Sequence, residues 1–170
     1  MTCVRNAFTM IEVIVVVVII SIAAMMAIPM LTSAGSTQVR SAADMLAADL
    51  EYARSISITH GRNFSVVFDK ANETYCIQDT DGTTIEHPVK KGFDYSVDFD
   101  GHDTLGEVVI HDVVFNPGFS QIVTFDYLGS PYSGTGTASP LNGGEIQLKA
   151  DGVTIKVTVE PVTGYIAIVK

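Results

Sequence analysis

The stretch from Val13 to Leu31, VIVVVVIISIAAMMAIPML, contains no charged side chain, and only Ser21 and Pro29 interrupt it. It reaches the roughly 18–20 apolar residues needed to span a bilayer as a helix. After Gln38 the composition becomes that of an ordinary soluble domain. A chain of 170 residues is long enough for one domain with a real core plus an appendage. The sequence therefore reads as a membrane anchor followed by a water-facing module.

One acid, Glu12, stands at the head of the apolar run. A carboxylate near the end of a span costs ~1–3 kcal/mol unless it is paired or lies at the interface. A secretory signal peptide would have a shorter apolar core and a small-residue cleavage site beyond it. No such site separates Met30 from the amphipathic region that follows. An uncleaved anchor explains the length but leaves Glu12 only a snorkelling role at the headgroups.

The order Arg5-Asn6-Ala7-Phe8-Thr9-Met10-Ile11-Glu12-Val13 accounts for both features. It resembles the leader and cleavage site of type IV prepilins and of the pseudopilins of type II secretion. The resemblance implies a basic leader, residues 1–7, removed by prepilin peptidase between Ala7 and Phe8, with N-methylation of Phe8. The family usually has Gly before the Phe; Ala7 is the nearest steric substitute, and cleavage is expected to survive at a lower rate. After cleavage the cationic amine of Phe8 would pair with Glu12 of a neighbouring subunit, each neutralising a charge that lipid penalises. Pro29 resembles the helix-breaking proline of pilins, since a proline inside a helix removes one hydrogen bond and kinks it. A proline that simply ends the span accounts for it equally well. Other pilin or pseudopilin subunits, the prepilin peptidase, an inner-membrane assembly platform and the lipid bilayer are the implied partners. The implied location is the inner membrane, crossed once, with the C-terminal domain in the periplasm or in an extracellular filament.

From Ser36 a helical period continues through Val39, Ala43, Leu46, Leu50, Ala53 and Ser57, widened by Ala42 and Met45. Arg40, Asp44, Glu51 and Arg54 fall on the opposite side, and Gly61 supplies a stop. Gly35 and Ser36 mark a bend in what reads as one helix from Phe8 to about Thr59. After Arg62 the chain reads as short strands: NFSVVFD, TYCIQD, FDYSVDF, EVVIHDVVF, QIVTFDY, GEIQLKA, VTIKVTVE and GYIAIVK. Asp151-Gly152 is the clearest hairpin signal among the turns. The expected fold class is α+β: a pilin-like fold whose long N-terminal helix, transmembrane in its first half, packs on an antiparallel β-sheet or β-sandwich domain. The expected divisions are 1–7 leader, 8–31 membrane and filament-core half of the helix, 32–60 amphipathic half, and 61–170 β domain.

Three further segments resemble the minor pseudopilin H (minor pilin T) family: Ala53-Arg54-Ser55 at the helix end, Phe125-x-x-x-Gly129, and Thr163-Gly164 before the last strand. They imply a minor, low-copy subunit rather than a major pilin.

From Ser41 onward eighteen acids outnumber eight Lys and Arg by ten, so the surface repels polyphosphate and argues against a nucleic-acid partner. A DNA-uptake pilin would need basic residues near the last strand, where Lys170 stands alone. Cys3 and Cys76 offer no disulfide framework, and Cys76 in TYCIQ reads as a small buried hydrophobe. His60, His87, His102 and His111 have no partner at zinc spacing. Asp94, Asp98, Asp100 and Asp103 around Gly101 lack the order of a calcium loop and read as a solvated acidic turn. No nucleophile elbow or phosphate loop is present, so neither an enzyme, a metal nor a cofactor is expected. Ser133 to Gly144 reads as a flexible hairpin loop.

Overall fold

The structure, a computed structural model, describes residues 9–31 and 34–169, with side-chain surroundings for 9–25 and 35–169. It divides into two compact units, Met1–Ala34 and Gly35–Lys170. In the first, helix α1 runs Met10–Leu31. Thr9 caps it: the Glu12 and Val13 amides donate to the Thr9 carbonyl at 3.1 and 3.3 Å. Val and Ile are weak helix formers, and the side chains from Met10 to Met25 are exposed all round. Ser21 donates its hydroxyl to the Val17 carbonyl at 2.7 Å, which satisfies that polar group within the helix. Among the residues whose side-chain surroundings are described, 9–25 and 35–169, no helix is long and apolar enough to cross a membrane.

In the second unit, helix α2, Ala34–His60, buries Val39, Ala42, Ala43, Leu46, Leu50, Ala53, Ile56 and Ser57, the stripe that its 3.6-residue period specifies. It stops where Gly61 takes φ 64° and the Arg62 amide donates back to the Ser57 carbonyl at 3.2 Å, a six-to-one closure that favours glycine.

Among the described residues nine strands follow: β1 Phe64–Asp69, β2 Thr74–Asp79, β3 Ser96–Asp98, β4 Val109–Asn116, β5 Ile122–Phe125, β6 Pro131–Ser133, β7 Gly143–Ala150, β8 Val153–Val159 and β9 Ile166–Val169. They form two sheets, ordered β3-β2-β1-β5-β6 and β4-β7-β8-β9, with every pairing antiparallel. Asp151 and Gly152 both take positive φ, 47° and 77°, between Ala150 and its partner Val153. That is the two-residue turn whose twist matches a hairpin.

Strand β7 buries every second residue, Gly144, Ile146, Leu148 and Ala150. Gly144 is required there because a Cβ would lie 2.6 Å from the Phe115 ring opposite it. The inner faces of both sheets and the stripe of α2 form one core cluster, with Phe64, Val66, Phe68, Tyr75 and Phe125 from the first sheet and Phe115, Ile146, Leu148, Val157 and Ile166 from the second. The α+β class expected from the sequence, with antiparallel sheets packed against a helix, is the class observed.

Several local readings differ. Strand β6 follows no alternating run and goes unread. Residues 85–95 form a hairpin of their own, through a Glu86–Asp94 bridge and the His87 amide on the Phe93 carbonyl at 2.8 Å. The loop after Ser133 is tied down rather than loose: the Ser133 amide donates to the Ser139 carbonyl at 2.8 Å, and the Leu141 amide to the Pro131 carbonyl at 3.0 Å. Leu141 is buried in the core.

Candidate functional site

The residues singled out at the N-terminus fall in three positions. Ala7 and Phe8 lie outside the described residues. Glu12 is exposed in the first turn of α1, and its amide also lies 3.4 Å from the Thr9 hydroxyl. Thr9-Met10-Ile11-Glu12 is thus the S/T-x-x-E order of a capped helix start, which puts a carboxylate where the helix dipole favours negative charge. Among the described residues no cation pairs with Glu12. Pro29 lies within the backbone of α1, near its end, and has no N–H to give the carbonyl four residues earlier.

The three short segments from the rest of the chain meet in space. Arg54 Nε donates to the Gly129 carbonyl at 3.2 Å across 75 positions of sequence. Gly164 closes over the same carbonyl: a Cβ at 164 would stand 2.7 Å from that oxygen and 3.3 Å from Arg54 Nε. Gly129 and Gly164 take φ 80° and 62°, a region that side chains other than glycine's disfavour. The nearly buried Asp126 fixes the turn that presents Gly129, its Oδ1 accepting the Leu128 and Ser130 amides at 2.9 and 2.8 Å. Arg54 is therefore not a solvent-side residue of α2. It is half-buried and fastens the β5–β6 turn to the helix end, with Gly164 of the β8–β9 connection lying close beside it, its long stem bridging from the flank of the apolar stripe.

A second polar cluster has no signature in the sequence. Asp49, one turn of α2 away from Ala53, accepts the Tyr75 hydroxyl at 2.6 Å and the Tyr95 hydroxyl at 2.8 Å. The Tyr95 ring lies between two others, stacked on Tyr52 at 5.5 Å and on His87 at 4.7 Å. Burial raises the Asp49 carboxyl above its ordinary value, against the lowering effect of the two tyrosine hydrogen bonds and of nearby His87. Burial, followed by the adjacent carboxylate, raises the Tyr75 phenol well above 10.

A raised carboxyl pKa means that the folded state holds the Asp49 proton more tightly than the unfolded chain does. Its contribution to stability is complete below the unfolded value near 3.8 and is lost as pH rises through the folded value. Asp49→Asn removes this contribution. As pH rises from about 3.5 through the folded value, the urea midpoint of the native chain should fall relative to that of the variant. A native midpoint that rises relative to the variant over that range would contradict the assignment.

The remaining candidates are not drawn together. The imidazole of His60 bonds the Ile56 carbonyl at 3.0 Å. Nδ1 of His87 accepts the Val89 and Lys90 amides, while His102 serves its own turn with Thr104. Among the described residues no group of three or more His, Cys, Asp or Glu is set to hold a metal ion. Asp98 accepts the Gly101 amide at 3.1 Å, the bond of an acidic turn. Cys76 is free and half-buried.

Comparison with known proteins follows the same division. Residues 4–28 match the prokaryotic N-terminal methylation motif. The type IV minor pilin FimU of Pseudomonas aeruginosa has a similar crystal structure, with a TM-score of 0.50 and 16% identity, over 79% of this chain and 90% of that one. The minor pseudopilin EpsH from the type 2 secretion system of Vibrio cholerae aligns at a TM-score of 0.48 and 12% identity, over 78% of this chain and 96% of that one. No curated protein sequence matches the chain. The chain thus joins the methylation motif of prokaryotic prepilins to a pilin-like fold.

Proposed function

Starting from that motif and that fold, we propose that this protein is a minor pseudopilin, a structural subunit of the periplasmic pseudopilus of a type II secretion system. The observation that carries the reading is Glu12: one exposed carboxylate, without an ion pair among the described residues, at the capped start of an apolar helix and inside the methylation motif. The role is mechanical rather than catalytic. Prepilin peptidase removes residues 1–7 and methylates Phe8, and the helix holds the subunit in the inner membrane, crossing it once. The run of Val and Ile suits that setting, because in lipid every backbone polar group must be satisfied within the helix whatever the side-chain propensity. Subunits then leave the bilayer through an assembly platform and join a helical filament, each new Phe8 amine facing a neighbour's Glu12. Pro29 gives the helix a place to yield as it leaves lipid for the filament.

A minor type IV pilin uses the same parts and is the second reading, favoured by the likeness to FimU. A DNA-uptake role finds no support in a domain whose acids outnumber its bases by ten from Ser41 onward.

Processing is the first test. Intact-mass measurement of the protein from its native membrane should show loss of Met1 to Ala7 and gain of one methyl group at Phe8. A mass that retains the leader would return the chain to the uncleaved anchor.

A further inference from the structure

The hairpin at residues 85–95, helix α2 and the turn after β3 enclose an open groove of ≈ 680 Å³. Its apolar wall comes from Met45, Phe93, Val97 and the edge of Tyr95, and Phe93 is 69% exposed. An aromatic ring left in water beside a groove this size is the kind of residue that anchors protein contacts. The ring stack of Tyr52, Tyr95 and His87 and the two hydroxyl bonds to Asp49 hold the wall in place. The groove is therefore built before anything enters it.

Its charge indicates what enters. Asp49, Asp94 and Asp98 line it, and Lys90 is the one Lys or Arg among its described lining. The four ion pairs of the described residues all lie elsewhere, at Arg54–Glu51, Arg62–Asp79, Lys70–Asp112 and Lys156–Glu145. Lys90 itself forms no ion pair with any of the three carboxylates. A second copy of this acidic domain would bring like charge to the site.

We infer that this groove is a docking site for a basic segment of a different protein, one arginine or lysine of which lays its stem along Phe93 and Val97 and its charged head against Asp94 and Asp98. The side chain that fits is amphipathic: a hydrocarbon stem for the apolar wall, a cation for the carboxylates, and a cation–π contact with the open face of Phe93. This surface belongs wholly to the second unit and does not depend on the filament reading. It gives the domain a partner of opposite charge whether the chain serves secretion or a pilus.

The test uses the full chain, isotope-labelled in detergent micelles and titrated with hexa-arginine and, separately, with hexa-glutamine. Hexa-arginine should shift the amides of Phe93, Val97 and Gly101 and leave the β8–β9 end unmoved. Asp94→Asn with Asp98→Asn should weaken the dissociation constant about tenfold, while the amide oxygen introduced at position 98 still accepts the Gly101 N–H. Phe93→Ala should weaken it several-fold. Glu107→Gln with Glu160→Gln removes the same charge from exposed positions outside the groove and should change it less than twofold. Equal losses in the two double variants, shifts spread over the whole acidic surface, or equal binding of hexa-glutamine would overturn the assignment. Self-association of the free chain that Phe93→Ala abolishes would give the groove to a second copy and overturn it as well.

Discussion

Glu12→Val should reach the membrane and lose its leader normally, yet enter filaments at least tenfold less than the native chain. Losing the carboxylate removes a charge that costs ~1–3 kcal/mol near the end of a span, so insertion should be unchanged or easier. The domain from Gly35 onward has its own core and should melt at the native temperature. Assembly alone should suffer, because the incoming subunit's amine would then meet no counter-charge in an apolar setting, where an unpaired ion is far more costly than in water. Glu12→Asp tests the geometry: it keeps the charge but shortens the reach by one methylene, and it should retain part of the incorporation. Normal incorporation of Glu12→Val would leave Glu12 as a cap of α1 and no more.

Gly164→Val should destabilise the domain by about 3–4 kcal/mol, the sum of a left-handed backbone forced on a branched residue and of overpacking. The clash is with backbone: the added Cβ would stand 2.7 Å from the Gly129 carbonyl oxygen that receives the Arg54 bond. Gly136 takes φ 82° with nothing within 4 Å of an added Cβ, so Gly136→Val carries the backbone penalty without the clash. It should cost roughly 1–2 kcal/mol. Urea unfolding of the two variants separates the terms. Equal losses would mean that the closure of Gly164 over Gly129 contributes nothing beyond its backbone angle.

The parts of this molecule that sequence reveals are those with a short period or an isolated anomaly. The buried stripe of α2 repeats every three or four residues, and Asp151-Gly152 is a turn whose chemistry is local. Glu12 is conspicuous because nothing near it is charged. Arg54 reads as solvent-side, wrongly, because a residue at the flank of an amphipathic stripe has no periodic mark and its partner lies 75 positions away. The three glycine- and arginine-bearing segments are legible one by one as family signatures, but not as a single contact. Asp49 is satisfied by tyrosines 26 and 46 positions further on, and no spacing rule links them. Strand β6, three residues beginning with proline, and the hairpin at 85–95 lack the alternation that marks a half-buried strand. They are held by their neighbours' pairing instead.

A subunit that works by meeting other pilin-type subunits should make that contact through the start of α1. A photo-crosslinking side chain at Val13, one residue after Glu12 and exposed on the same helix, reports that meeting directly in the native membrane. Crosslinks should form to the N-terminal helix of a second pilin-type subunit, at the level of its Phe-first N-terminus, and should fall at least tenfold when Glu12 is also changed to Val. Crosslinks to lipid alone, or subunit crosslinks of undiminished yield in the Glu12→Val background, would contradict this reading.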